Sequence, residues 1–557
     1  MADTASAEEA GRPRSAWAVF ENWPYSKIWS ASMLGLSGIA MSDAATAWLM
    51  TSLNADPRAV SLVQVAAFLP MFMFTLPAGA LVDIIEPKRF LLVLETFTTA
   101  LVVVIALVVT FNVATPAILL ALTFVLSAAW SVAAPAWAAL MPSLVPRRDL
   151  EAAASFNAIS YNASRVIGPA LAGRLIAALG IAAPFWGFAL ANSASVLTLA
   201  RCRSAPRRVQ TLPSERFWSA MRTGLRHSLY NPHLRATLMR TVAVFPFGAA
   251  FFALLPLVAR TQMTSGPQAY GYMLALASLG GVTGSLARPY AKYWLGADRF
   301  VAASTAALAG ALALCGVCHY APWAAYVAAF ITGAGWTTLV ASLSLSAQIA
   351  LPDWVRGRGL AIFLTVVFGS VTVGSFVWGY VASHFGLPAA HYLAAAGAVA
   401  GIPLSWPWRL QTAEGIDLTP SRHWQAPVLS REVEDESGPV LATVRYKLAG
   451  DDPDPFLDAI EKVGNQRRRD GAYAWGVFAD VAEKGVYLET FLIGSWLEAR
   501  YLRERVTKAD REREEQVRAL LAEPPTVTLM LYADTPKREA ESGVGLVCDL
   551  TTSQTLA

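Results

Sequence analysis

Between Ile28 and Trp408 the chain is a succession of apolar runs, each closed by a short polar interval. Crossing a hydrocarbon core of about 30 Å takes roughly twenty helical residues at about 1.5 Å per residue. Runs such as Phe90–Phe111 and Val301–Cys318 approach or exceed that length. Spans are predicted near 28–53, 60–83, 90–111, 117–140, 152–179, 181–200, 236–260, 269–290, 299–318, 323–350, 358–383 and 389–408, twelve in all. Composition agrees: of 557 residues, 55% are hydrophobic and 15% charged, with mean hydropathy +0.43. That excludes an ordinary soluble protein of this size, and most of the chain must sit in a lipid bilayer. A net charge of only +4 gives no reason to expect a nucleic acid partner.

Basic residues set the orientation. With the N-terminus inside, the inner loops hold Lys88 and Arg89, Arg147 and Arg148, the group Arg201, Arg203, Arg207 and Arg208, then Lys292, Arg299, Arg356 and Arg358. The outer loops hold little beyond Arg58 and Arg260. Both termini are therefore expected in the cytoplasm. The opening residues are polar and lead into a full-length span, so a cleavable signal peptide is not expected. Aromatic residues between Ala16 and Trp29 read either as an interfacial lead-in or as a mobile tail. Of the four cysteines, Cys202 and Cys548 are predicted to face the cytoplasm, while Cys315 and Cys318 lie in an apolar helix without partner ligands. No metal site and no cofactor is expected.

The polar interval from Arg201 to Arg235 divides the spans into two sets of six. The expected organisation is a cytoplasmic tail (1–27), a six-helix bundle (28–200), a central loop (201–235), a second six-helix bundle (236–410), a linker (411–438) and a cytoplasmic domain (439–557). Similar punctuation recurs in the two sets: "LPAGALVDIIEPKRFLLV" (76–93) beside "VTGSLARPYAKYWLGADRFV" (282–301), and "LMPSLVPRRDLEAAAS" (140–155) beside "IALPDWVRGRGLAIF" (349–363). Weak similarity between halves points to a transporter of repeat construction with its site near the midplane.

Gly79, Leu81, Asp83, Lys88 and Arg89 in "GALVDIIEPKR" resemble the loop-two signature of the major facilitator superfamily, with departures at Ile84 and Glu86. Gly168, Pro169 and Gly173 in "GPALAGRL" resemble the fifth-helix signature of exporters in that superfamily. "SDAATAWLMTSL" (42–53) and "LMPSLVPRRDL" (140–150) are similar to the enterobactin-exporter-like, or transmembrane secretion effector, branch. The resemblance implies a multi-pass transporter of a bacterial inner membrane, working by alternating access on a siderophore, drug-like compound or other secreted metabolite, with protons as the coupling ion. It also implies that Asp83 latches against the start of span eleven, near residues 357–359. A carboxylate at a helix N-terminus has the charge for this, although an acid balancing its basic neighbours fits the residues as well.

The fifth span poses the main physical problem. Small residues at Ala163, Gly168, Ala170, Ala172 and Gly173 let neighbouring backbones approach closely. Pro169 removes a helical hydrogen bond and bends the helix, whether as a pivot or as a plain kink. Arg165 lies about 20 Å along a helix starting near Ala152, close to mid-membrane. Against lipid it would cost at least about 2.5–3.5 kcal/mol, so it is expected to face a cavity or an opposite charge. Asp43, about 22 Å along span one, has a comparable depth. It reads either as a direct participant in proton or substrate coupling or as a structural partner of Arg165. Gln64, Asn157, Tyr161 and Asn162 are candidates for the same cavity. Glu95, about 8 Å into span three, reads as an inner-rim residue.

From Pro439 the composition becomes that of a soluble domain with the order βαββαβ: strand 440–448, helix 454–469, strands 472–481 and 486–496, helix 498–521 and strand 526–533. This is a ferredoxin-like layout, similar to the small dimeric domain of antibiotic-biosynthesis-type monooxygenases. It implies a homodimer through that domain. From Pro439 onward the tail has no histidine and no glycine-rich phosphate loop, so it reads as a regulatory or dimerising module. "NQRRRDGAYAWG" (465–476) is its candidate contact surface or a solvated helix end. The whole chain is expected to be a secondary active exporter and not an enzyme; it lacks a GxxxxGK[ST] loop, which disfavours a self-contained primary pump. The alternatives are a membrane-anchored enzyme whose tail modifies a compound before export, and a transport-inactive sensor or scaffold.

Overall fold

The computed structural model describes residues 16–82, 86–146, 149–201, 217–352, 354–411, 417–421, 423–424 and 433–533. They belong to two compact units, Met1–Thr419 and Pro420–Ala557.

The first unit is helical. After a short 3-10 helix, Ala16–Glu21, come α1 (Trp23–Leu53), α2 (Pro57–Val82), α3 (Pro87–Thr110), α4 (Pro116–Ser143), α5 (Leu150–Leu179), α6 (Ala183–Arg201) and α7 (Phe217–Tyr230). Then follow α8 (Pro232–Leu257), α9 (Pro267–Gly316), α10 (Trp323–Ile349), α11 (Arg356–Phe385) and α12 (Leu387–Ser405). Helix starts follow local chemistry. Proline opens α2, α3, α4, α8 and α9, where its missing N–H has no helical partner to lose. Asn231 caps α8 by accepting from the backbone N–H groups of His233 and Leu234, both at 3.1 Å, while its amide donates to the Ala350 carbonyl at 2.8 Å.

Among the described residues, eight helices are long and apolar enough to cross a membrane: α2, α3, α4, α8, α9, α10, α11 and α12. Three further helices, α1, α5 and α6, have the length, but polar residues such as Asp43 and Arg165 dilute them. The interval between predicted spans eight and nine is not a loop. In α9 two helices meet at Gly296, whose φ of 74° suits a residue without Cβ, and the rest of the interval is helical. The central interval likewise contains α7. Helices α1–α6 pack among themselves, as do α8–α12, and the two groups meet along α2 with α11 and α5 with α9. At the start of the chain, Trp17, Phe20, Trp29 and Phe156 form one aromatic cluster with ring centres 4.7–6.2 Å apart, and Val19 and Tyr25 are fully buried. The lead-in is thus folded against α5.

The second unit holds a four-stranded antiparallel sheet with helices. Its elements are β1 (Val440–Lys447), α13 (Asp454–Asp470), β2 (Ala474–Ala479), β3 (Val486–Ile493), α14 (Trp496–Arg505), α15 (Lys508–Arg518) and β4 (Thr526–Leu531), with strand order β2-β3-β1-β4. The single helix expected over 498–521 is two. Val506 is extended, and Thr507 then starts α15 through a reciprocal capping box with Asp510.

Within the stretch 465–476 three of the charges turn inward, while Asn465 and Tyr473 stay exposed. Arg467 is 5% exposed, Arg469 8% and Asp470 1%. Arg467 pairs with Glu514 at 2.7 Å and lies 3.5 Å from Glu489, which accepts from Tyr446 Oη at 2.7 Å and Trp475 Nε1 at 2.9 Å. Arg469 pairs with Asp470 and Asp510, both at 2.7 Å. His423 and Trp424 bring Glu514 two more donors, at 2.7 and 3.1 Å. Burial pushes the Glu514 carboxyl up, but the Arg467 charge and the hydrogen bonds from His423, Trp424 and Arg467 outweigh it and hold it at about 2. A carboxyl lowered on folding stabilises fully above its ordinary value of 4.5 and loses that contribution as pH falls through about 2. In the full chain, Glu514→Gln is expected to speed amide exchange in α13 and α15 at neutral pH by roughly 2–3 kcal/mol of opening free energy. The difference from wild type should shrink as the pH approaches 2.

Candidate functional site

Helix α5 lies between α1 and α9, and its glycines face both. A Cβ on Gly168 would lie 2.8 Å from the Ala40 Cβ and the Ser37 carbonyl of α1. A Cβ on Gly173 would lie 2.7 Å from the Pro267 carbonyl, and one on Gly271 of α9 would lie 2.5 Å from the Pro169 carbonyl. No side chain larger than hydrogen fits these crossings. Ser164 adds polar contacts to α1, at 3.0 Å from Ser37 Oγ and 3.1 Å from the Met33 carbonyl.

Pro169 has no N–H for the carbonyl four residues earlier, that of Arg165. Ser278 Oγ of α9 lies 2.7 Å from that carbonyl and 3.0 Å from the Leu274 carbonyl of its own helix. A donor from the other helical group therefore occupies the place the proline vacates.

Asp43 and Arg165 sit near the middle of α1 and α5. Both keep exposed surface. Each senses the other's charge, and Asp43 also acts on Tyr270 of α9. Among the described residues the two form no direct ion pair. Arg165 instead donates to Tyr161 Oη at 3.4 Å, with its guanidinium 5.7 Å from the Tyr161 ring centre. Tyr270 in turn stacks on Trp48 with centres 6.0 Å apart.

The other residues singled out from sequence divide. Tyr161 joins Arg165. Asn162 donates to the Ala158 carbonyl of its own helix at 2.8 Å, and Gln64 lies half-buried on α2, apart from this cluster. In the loop motif, Gly79 and Leu81 end α2, and Asp83 lies outside the described residues. Lys88 and Arg89 open α3, where Arg89 pairs with Glu86 at 2.8 Å. At the end of the bundle that holds the α1–α2 turn, Arg58 bonds Ser383 at 2.7 Å and His384 at 2.8 Å, and Arg260 bonds Thr51 at 3.0 Å and Ser52 at 2.7 Å.

Sequence reasoning misjudged Glu95. It is not at a rim: it is 6% exposed, and Trp137 Nε1 of α4 donates to its carboxylate at 2.8 Å. Asn192 of α6 donates to its backbone carbonyl at 3.1 Å. Glu95 and Asn157 line a partly open cavity of about 300 Å³ between α1, α3, α4, α5 and α6. The sequence signal was an acid between apolar residues in "FLLVLETF", which is costly in a membrane unless it faces the interior.

The sequence matches the transmembrane secretion effector family over residues 14–537. The chain belongs to that family, within the major facilitator superfamily of membrane transporters. It is similar to the multidrug efflux pump Tap of Mycolicibacterium fortuitum, 25% identical over 382 residues that cover 66% of this chain and 91% of the pump. The Tap pump of Mycobacterium tuberculosis strain H37Rv is 24% identical over 416 residues, covering 72% of this chain and 97% of the pump. The staphyloferrin A transporter of Staphylococcus aureus is 21% identical over 366 residues, covering 65% and 90%. In fold, the nucleoside transporter NupG matches with TM-score 0.53 at 12% identity, over 69% of this chain and 99% of its own. An auto-inhibited peptide transporter of the POT family matches with TM-score 0.56 at 12% identity, over 74% and 99%.

For this secretion-effector protein the Arg165–Ser278 contact can be measured as a double-mutant cycle. Ser278→Ala is expected to lower stability in detergent by about 0.6–1 kcal/mol. Pro169→Ala restores the helical N–H, so in that background the cost of Ser278→Ala should fall toward zero.

Proposed function

We propose that the chain is a proton-coupled exporter of a small molecule, with two six-helix bundles alternating access to a site on their shared seam. The observation that carries this reading is the pair Asp43 and Arg165: opposite charges at mid-length of α1 and α5, each with exposed surface, beside the α5–α9 seam. An ionised Asp43 attracts Arg165. A protonated one releases it to Tyr161 and changes which packing of α5 is favoured. Pro169, with its carbonyl partner on the opposite helical group, gives that change a place to act.

On this reading α1, α5 and α6 also span, and α9 spans twice through its bend at Gly296, which makes twelve crossings. The basic loops support a bacterial inner-membrane orientation with both termini in the cytoplasm. Gly168 and Pro169 support export, as does the similarity to the Tap efflux pumps. Those pumps and the staphyloferrin A transporter favour a drug-like compound or a siderophore as cargo. The sheet order β2-β3-β1-β4 supports a ferredoxin-like tail, which we assign a regulatory or dimerising role.

The test is untargeted mass spectrometry of cells and medium from strains lacking the protein or producing wild type or Asp43→Asn. Wild type should move at least one compound to the medium, and a protonophore should stop it. Asp43→Asn should retain that compound at least about tenfold, a coupling change of about 1.4 kcal/mol. Normal export by Asp43→Asn with unchanged pH dependence would contradict the proposal.

A further inference from the structure

We propose that the cavity around Glu95 is a binding site for aromatic monocations that carry amine donors. The inference rests on the transport reading for its use, and on the geometry below for its existence.

The cavity holds about 300 Å³, at the small end of drug-sized pockets. Its wall combines Trp130, Trp137 and Tyr161 with Glu95, Asn157 and Asn192. Glu95 is buried, and among the described residues no basic side chain forms an ion pair with it. A carboxylate buried in this way needs a counter-charge or a proton. The Trp137 indole holds one of its oxygens in place at 2.8 Å but brings no charge.

Asn157 supplies the second observation. Its Oδ1 is buried and has no hydrogen-bond donor, although it lies on the same cavity wall. Glu95 and Asn157 thus both place acceptor oxygens in the wall of this cavity, that of Asn157 just beneath its surface. A ligand with N–H donors satisfies both, and a positive charge on it balances the single carboxylate. The indole faces of Trp130 and Trp137 attract a cation beyond ordinary apolar contact. A carboxylate-bearing ligand would instead meet repulsion from Glu95 and leave Asn157 Oδ1 unpaired.

The probe is proflavine, a small fluorescent aromatic monocation with two amino groups, titrated into the purified full chain in detergent without any ion gradient. Wild type should bind it. Glu95→Gln should weaken binding about tenfold or more, as expected for a lost charge-assisted contact. Asn157→Leu should weaken it about threefold, and exchange of an exposed tail acid, Glu483→Gln, should leave it unchanged. Anthracene-9-carboxylate, similar in shape but anionic, should not compete. Equal affinity in wild type and Glu95→Gln, or competition by the anion, would overturn the proposal. If Glu95→Gln is not monodisperse, Asn157→Leu decides: unchanged affinity overturns the site and weakened affinity supports it. Binding without gradient-driven export leaves the site standing and removes the proposed transport cycle, whereas export without binding removes the site alone.

Discussion

A backbone carbonyl in the membrane interior has no water to turn to, and the structure around α5 depends on how that is resolved. Pro169 leaves the Arg165 carbonyl without its helical donor, and Ser278 stands in from α9. The exchange is possible only because the helices are close, and they are close because glycine occupies positions 168, 173 and 271. A bend, a missing donor and a set of small residues would each weaken an isolated helix. Together they make a polar, close-packed joint between the two helical groups.

The same constraint governs the charges. Arg165 and Asp43 sit where a direct contact with lipid would be expensive, and the fold gives Arg165 the phenol of Tyr161. Glu95 is handled differently, by an indole and by a cavity whose remaining polar lining is neutral. In the second unit, where water is available, charges are still turned inward, but there each is matched: Arg467 with Glu514 and Glu489, Arg469 with Asp470 and Asp510. The membrane unit also holds a matched pair, Arg240 with Asp298 at 2.8 Å, so the absence of a direct ion pair is particular to Asp43, Arg165 and Glu95 among these charges of the described residues.

What the sequence made legible follows from the range of the forces involved. Long apolar runs, N1 prolines and strand alternation are local, so helix positions and the tail's βαββαβ order were readable. Features set by tertiary contact were not. The interval 291–298 looked like a loop because it is polar, yet within it only Gly296 departs from helix. The arginines of 465–476 looked solvated because their partners, Glu489, Glu514 and Asp510, lie far along the chain. Depth along a helix can be counted from the sequence, as for Arg165 and Asp43, but it says nothing about which face a residue occupies. For that reason Glu95 was taken for a rim residue, although it is buried against Trp137.

The measurement that tests the alternating-access account most directly is a pair of distance distributions between spin labels, in a chain with its four cysteines replaced. One pair joins exposed Glu151 on α5 to Tyr293 on α9, and the other joins Phe111 after α3 to Tyr320 after α9. The account predicts two populations for each pair, shifting in opposite senses at the two ends of the bundle as pH crosses the range in which Asp43 titrates. A single pH-independent distance at both ends would contradict it.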